Sequence, residues 1–205
     1  GFDRACEMGV KRMAFITAAS ETFSQRNTAC SVSESVNRVA ALMDQARSRG
    51  ISSRVYVSCV AHCPYEGVIA ESAVVSLVSA LQLIGVSEVS LGDTTGSATP
   101  ERVGLLLMAL KSVIAIDQCA VHFHDTHGYA CQNIDVALEH GVRVIDSSAA
   151  GLGGCPYAPG ASGNVATEKV LSLLQKRGVK TNIDLNKLKY ASLKIRQYLS
   201  DPASC

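Results

Sequence analysis

His122-Phe123-His124 sets two imidazoles one residue apart, and on a β-strand that spacing points both to the same face. Two imidazoles on one face can share a metal ion, and Asp125 directly after them is the kind of carboxylate that fixes ligand tautomers. Two satisfied polar residues at a strand end would be spelled the same way. Downstream, the run from Ser147 to Tyr157 carries Cys155 between Gly154 and Pro156 on glycine-rich chain. With backbone room around it and no helix or strand to bury it, this thiol can reach a substrate as acid or nucleophile. An incidental loop thiol fits the composition as well. Asn164 adds an amide oxygen, and it also suits the N-cap of a helix beginning near Val165. Glu168 is a candidate acid or a first-turn complement to that helix's dipole. Gly92-Asp93-Thr94-Thr95-Gly96 lacks the Lys-Ser/Thr ending of a phosphate loop, so Asp93 reads as a mouth acid or as part of a simple turn.

These groups need a scaffold that brings strand ends together. Short β-branched runs at Arg12–Thr17, Arg54–Ser58, Glu88–Leu91, Ala120–His124 and Val142–Asp146 predict strands. Helical patterns lie between them at Glu34–Arg49, Glu71–Leu83, Pro100–Val113 and Tyr129–Glu139. This alternation is the grammar of a parallel sheet. A glycine stop recurs before strands at Gly9, Gly50, Gly85 and Gly141, and again at Gly178, each placed to end a helix in the left-handed conformation. Polar residues gather after the strands, as they do at the mouth of a (β/α)8 barrel. A doubly wound sheet could share that bias, but no G-x-G-x-x-G follows the first strand. The expectation is therefore an α/β chain forming the C-terminal part of a single (β/α)8 TIM-barrel catalytic domain, residues 1–205, with roughly three βα units missing at the front.

Composition narrows the function. Nineteen basic and 18 acidic residues leave a formal charge of +1, with no Lys/Arg cluster interleaved with aromatics, so no nucleic-acid partner is expected. No stretch approaches the ~20 apolar residues of a bilayer span, and Gly1-Phe2-Asp3-Arg4 does not resemble a signal or transit peptide. A soluble chain without a membrane partner is expected, and the absent initiator Met suggests that it begins partway through a longer protein. Eight cysteines in a 205-residue chain that is 47% hydrophobic read as reduced thiols rather than a disulfide scaffold. Cys59 and Cys63 are spaced too widely, and lack a second pair, for a structural zinc site.

Taken together, Ala18–Glu21, Tyr56–Cys59, Cys63–Gly67, Ser90–Thr94, Val121–Thr126 and Gly151–Glu168 closely resemble the 3-hydroxy-3-methylglutaryl-CoA lyases of the DRE-TIM metallolyase superfamily. Related synthases and aldolases share an H-x-H strand end but not the Gly-Gly-Cys-Pro-Tyr loop. The resemblance implies cleavage of 3-hydroxy-3-methylglutaryl-CoA to acetyl-CoA and acetoacetate with Mg²⁺ or Mn²⁺. It assigns His122, His124 and Asn164 to the metal and Cys155 to protonation of the departing carbanion. His122 also matches a residue implicated in proton transfer from the tertiary hydroxyl. Asp93 and Glu168 fall on supporting active-site positions, and Arg54, Asn27, Ser90 and Thr94 on the substrate-binding side. A homodimer, in the mitochondrial matrix or the cytoplasm, is the implied setting.

Departures from the family are also visible. Its early Arg-Asp-Gly motif, which supplies a metal carboxylate and an enolate-stabilising arginine, is absent, so the chain by itself is expected to show little or no activity. Ala149 stands for the usual valine, His127 for a frequent tyrosine, and the tail after Tyr198, with Cys205, diverges. The alternatives are a superfamily aldolase or acyl-CoA condensing synthase, and an inactive fragment serving as a binding or assembly module.

Overall fold

Five strands alternate with helices and pair in parallel in the order in which they occur along the chain. The computed structural model describes residues 1–154 and 163–200. The chain opens with α1 (Phe2–Glu7), β1 (Arg12–Ala18), α2 (Glu21–Thr28), α3 (Val32–Ser48) and β2 (Ser52–Ser58). A small hairpin, β3 (His62–Cys63) and β4 (Gly67–Val68), precedes α4 (Glu71–Leu83), β5 (Glu88–Asp93), α5 (Pro100–Leu110) and β6 (Cys119–Phe123). Next come α6 (Ala130–His140), β7 (Val144–Asp146), α7 (Thr167–Lys176) and α8 (Leu185–Ser200).

The main sheet runs β1-β2-β5-β6-β7 with every pairing parallel. Because the order never reverses, no topological switch point exists, and the arrangement is that of consecutive barrel units rather than a doubly wound sheet. Register sorts the side chains into two faces. Arg54 pairs with Glu88, Tyr56 with Ser90, Ser90 with Ala120, Gly92 with His122, and His122 with Asp146, so all of these share the concave face. Val55, Val57, Val89, Leu91, Val121 and Phe123 take the opposite face, each 3% exposed or less. There they meet Met43 of α3, Val78 and Leu81 of α4, Leu107 and Leu110 of α5 and Ile134 of α6 in one core. Burial of these side chains, each contributing roughly 1.5–3 kcal/mol, fixes the register.

The helix ends obey the sequence. At Gly50 the backbone turns to φ +65°, and the Ile51 N–H reaches back to Ala46 O at 2.9 Å, the six-to-one bond of a Schellman cap. The same bond closes the other four glycine-ended helices, from Val10 to Ala5, Val86 to Leu81, Val142 to Ala137 and Val179 to Leu174. Helix starts are capped as well. Ser31 and Glu34 form a reciprocal capping box on α3, and Thr99 precedes Pro100 at the start of α5.

The sequence expectation names neither the β3–β4 hairpin nor α8, and two further segments depart from it. The polar residues that follow β1 carry a helix: Glu21–Thr28 is capped by the Ser20 hydroxyl and by Glu66 Oε1, which accepts the Thr22 N–H at 2.6 Å. The helix expected near Val165 begins at Thr167 after Ala166.

Candidate metal centre and active site

β6 positions the two imidazoles. His122 lies on the concave face, and His124 sits just past the strand's C-terminal end, with ring centroids 5.6 Å apart. Asp125 secures the turn behind them: its Oδ1 accepts the Ala130 N–H at 3.3 Å and its Oδ2 meets Lys169 Nζ at 2.6 Å. Asn164 is bridged to His124 by antiparallel backbone pairing. Neighbouring bonds from Asp125 N to Gly163 O, Val165 N to Phe123 O and Ser148 N to Val165 O knit residues 163–165 between the ends of β6 and β7. Asn164 is therefore not a helix cap. Its Nδ2 donates to Leu152 O at 2.9 Å, which turns the amide oxygen to the other side.

The chain approaches Asn164 too closely for any residue but glycine. A Cβ on Gly153, where φ is +101°, would lie 2.6 Å from Asn164 Nδ2, and one on Gly163 would lie 2.4 Å from Gly153 O. The Asn164 N–H also donates to Gly153 O at 3.3 Å. Cys155 itself lies outside the described residues.

The ligand candidates fit a divalent ion. Burial, with the proximity of His122 second, lowers the His124 pKa against an opposing hydrogen bond that the ring donates to the Thr94 backbone, which favours the neutral ring. His122 Nδ1 and His124 Nδ1 are buried without a hydrogen-bond partner among the described residues. Two imidazoles and an amide oxygen are neutral donors of the kind that ligate divalent ions. Among the described residues no group of three or more His, Cys, Asp or Glu gathers to hold an ion, so no described carboxylate completes the set.

Beneath His122 the concave face carries a polar network that joins four strands. Arg54 Nη1 donates to Tyr56 Oη and Asp146 Oδ1, each at 2.8 Å, and Arg54 Nε pairs with Glu88. Ser90 Oγ donates to Asp146 Oδ2 at 2.8 Å, and His122 Nδ1 lies 3.6 Å from the same oxygen. Tyr56 meets the His122 ring edge-on at 5.8 Å between centroids. Burial opposes the Asp146 charge, but the nearby His122 ring and the hydrogen bonds from Ser90 and Arg54 outweigh it and hold the carboxyl below its ordinary pKa. Burial likewise opposes the Arg54 charge, and Asp146 and Glu88 more than offset it, raising that pKa.

The remaining candidates sit apart from this cluster. Asp93 points to the helix-facing side, fully buried, with Oδ2 accepting the Ala98 N–H at 3.0 Å. Burial raises its pKa despite those loop hydrogen bonds. Thr94 Oγ1 accepts the Cys59 N–H at 2.9 Å, tying two strand-end loops together. Glu168, on the first turn of α7, accepts the Ala150 N–H at 3.1 and 3.2 Å through its two oxygens. Burial pushes its pKa up, and the nearby Ser192 hydroxyl, the Ala150 N–H and Arg196 bring it below the ordinary value. Asn27 is exposed on α2 at the rim. Six cysteines among the described residues are free thiols. Burial raises Cys59 and Cys119 to about 12, so neither is a ready nucleophile.

Sequence reading missed Asp146. The signal was available: the strand predicted at Val142–Asp146 ends on an acid two residues after Val144, with the same parity as the polar positions on neighbouring strands.

Residues 1–195 match the family model described as HMGL-like. The chain is similar to the mitochondrial hydroxymethylglutaryl-CoA lyase of Arabidopsis thaliana, with 47% identity over 98% of this chain and 43% of that one. It is also 46% identical to a 3-hydroxy-3-isohexenylglutaryl-CoA/hydroxy-methylglutaryl-CoA lyase of Pseudomonas aeruginosa, over 95% of this chain and 65% of that protein. Its structure is similar to that of the HMG-CoA lyase of Brucella melitensis, with a TM-score of 0.95 and 42% identity, covering 98% of this chain and 71% of the other. The chain thus spans roughly two fifths to two thirds of these curated relatives. A parallel sheet without reversal, a backbone bridge that sets Asn164 beside His124, and a family match across nearly the whole chain place this protein in the HMGL-like family.

Proposed function

We propose that this protein provides the metal-and-thiol face of a hydroxymethylglutaryl-CoA lyase, which cleaves 3-hydroxy-3-methylglutaryl-CoA to acetyl-CoA and acetoacetate. The observation that carries the reading is the backbone bridge between His124 and Asn164, which joins the two halves of the ligand set within a chain 46% identical to a named lyase. His122, His124 and Asn164 would hold a divalent ion, Mg²⁺ or Mn²⁺. Such an ion, when bound, supplies Lewis-acid chemistry by polarising substrate oxygens.

The chain's own residues then divide the proton work. As the C2–C3 bond breaks, the C3 hydroxyl gives up its proton and C3 becomes the ketone of acetoacetate; His122 is the acceptor, a role it can fill only with its basic nitrogen off the ion. The bonding pair remains on the acetyl-CoA carbon, where Cys155 delivers its thiol proton. Gly153 and Gly163, which flank the thiol segment in sequence, pack closely at Asn164. Arg54 and Ser90 line the substrate side, Asn27 contacts substrate from the rim, and Asp93, Thr94 and Glu168 brace the loops. The active form is a homodimer of the mitochondrial matrix or the cytoplasm. Among the described residues no helix is long and apolar enough to cross a membrane.

The test is a chimera in which residues 1–195 of this chain replace the matching segment of the Pseudomonas aeruginosa relative. It should release acetoacetate in Mn²⁺ or Mg²⁺ and lose that activity in EDTA, while Cys155→Ala reduces turnover by at least about a hundredfold. The 205-residue chain alone should be nearly inactive. A folded chimera without metal-dependent cleavage would overturn the reading. The double name of that relative favours a second substrate, the isohexenyl thioester, and comparing kcat/KM for the two thioesters decides between them.

A further inference from the structure

We infer that Asp146 is the positioning residue for His122: it takes the Nδ1–H of the imidazole and thereby leaves the Nε2 lone pair facing the site. The inference rests on the metal-lyase reading of the H-x-H rung, but its central measurement needs neither metal nor substrate.

Three observations carry it. His122 Nδ1 is buried and has no hydrogen-bond partner among the described residues, while Asp146 Oδ2 stands 3.6 Å away across one rung of paired strands. That separation is slightly longer than a hydrogen bond, and a shift of a few tenths of an ångström closes it. Secondly, the carboxylate is held from its other sides. Arg54 Nη1 grips Oδ1 and Ser90 Oγ grips Oδ2, both at 2.8 Å, and Arg54 is itself tied to Glu88 and to Tyr56 Oη. An anchored acceptor can orient a ring, whereas a mobile one would move with it. Thirdly, the edge-on contact of Tyr56 with His122 limits rotation of the imidazole about its own axis.

The ligand nitrogen of a metal-binding histidine is set by the hydrogen bond that the other nitrogen makes. With Nδ1 protonated toward Asp146, Nε2 is the basic atom. The network therefore acts through His122.

The test uses the 205-residue chain with ¹⁵N-labelled histidine, free of metal. Two-bond ¹H–¹⁵N spectra should show His122 in the Nδ1–H form in the parent, with the resonance assigned by its loss in His122→Gln. Asp146→Asn should move a substantial fraction to the Nε2–H form and raise the Mn²⁺ dissociation constant by about tenfold or more. A parent spectrum showing Nε2–H overturns the inference even if the variant does not fold. A folded Asp146→Asn chain with unchanged tautomer and unchanged Mn²⁺ affinity overturns it as well. Failure of the chimera to release acetoacetate from 3-hydroxy-3-methylglutaryl-CoA, with the Nδ1–H form intact, would instead count against the lyase reading alone.

Discussion

Asp93 illustrates how a residue type can be recognised while its task is not. As an acid in a glycine-flanked turn it is a candidate for the mouth, but its strand parity sends it to the helix-facing side, where it secures residues 96–98. Burial costs its charged form more than the loop N–H groups return, so its native pKa lies above the ordinary 3.8. An acid with a raised native pKa binds more protons folded than unfolded. Stability is therefore lost as pH rises from the unfolded value through the native one. Asp93→Asn keeps an acceptor for Ala98 and removes the titration. Urea unfolding of parent and variant should show the stability difference, variant minus parent, growing with pH across that window and levelling above it. A difference that stays flat would assign the burial cost elsewhere. Histidine spacing, by contrast, needs only strand periodicity to be read, and the structure keeps His122 and His124 adjacent.

Elements with strong local signals are legible in the sequence, and those held by distant partners are not. The βα alternation, the glycine stops and the helices of the central region arise from periodicity and backbone conformation, which act over a few residues. α2 is hidden because ETFSQRNT buries only Phe23 and Ser24, so it lacks an apolar stripe, and one of its caps comes from Glu66 across the hairpin. Asp146 is hidden for a similar reason, since its meaning depends on Arg54 and Ser90, which lie 92 and 56 residues away. Local signals carry measurable energy. Ser31 Oγ accepts the Glu34 N–H at 3.1 Å while Glu34 Oε2 accepts the Ser31 N–H at 2.7 Å. Ser31→Ala should cost about 1 kcal/mol in denaturant unfolding with an unchanged m-value. A loss under ~0.3 kcal/mol would mean that Glu34 alone caps α3.

At the scale of the molecule, the sheet divides labour between its faces. The outer face is aliphatic and sealed by helices, and the concave face bears charge, which a parallel sheet seldom tolerates without a function. The charges are compensated as a set. Arg54 is shared by Glu88 and Asp146, and the three side chains are 16–20% exposed. Arg54→Met should destabilise the fold by about 3 kcal/mol, because two partly buried carboxylates lose their cation. Adding Glu88→Gln should recover part of that loss, measured by the same unfolding curves, whereas strictly additive losses would show that the ion pairs are not coupled. The five glycine-closed helix ends act at this scale too. Each is finished by the chain's own backbone, so the heading of the next segment is settled before any neighbour arrives. A polypeptide composed of such self-terminating pieces has natural joints, where evolution or an engineer can splice in another unit or recut the ring without recomposing the rest.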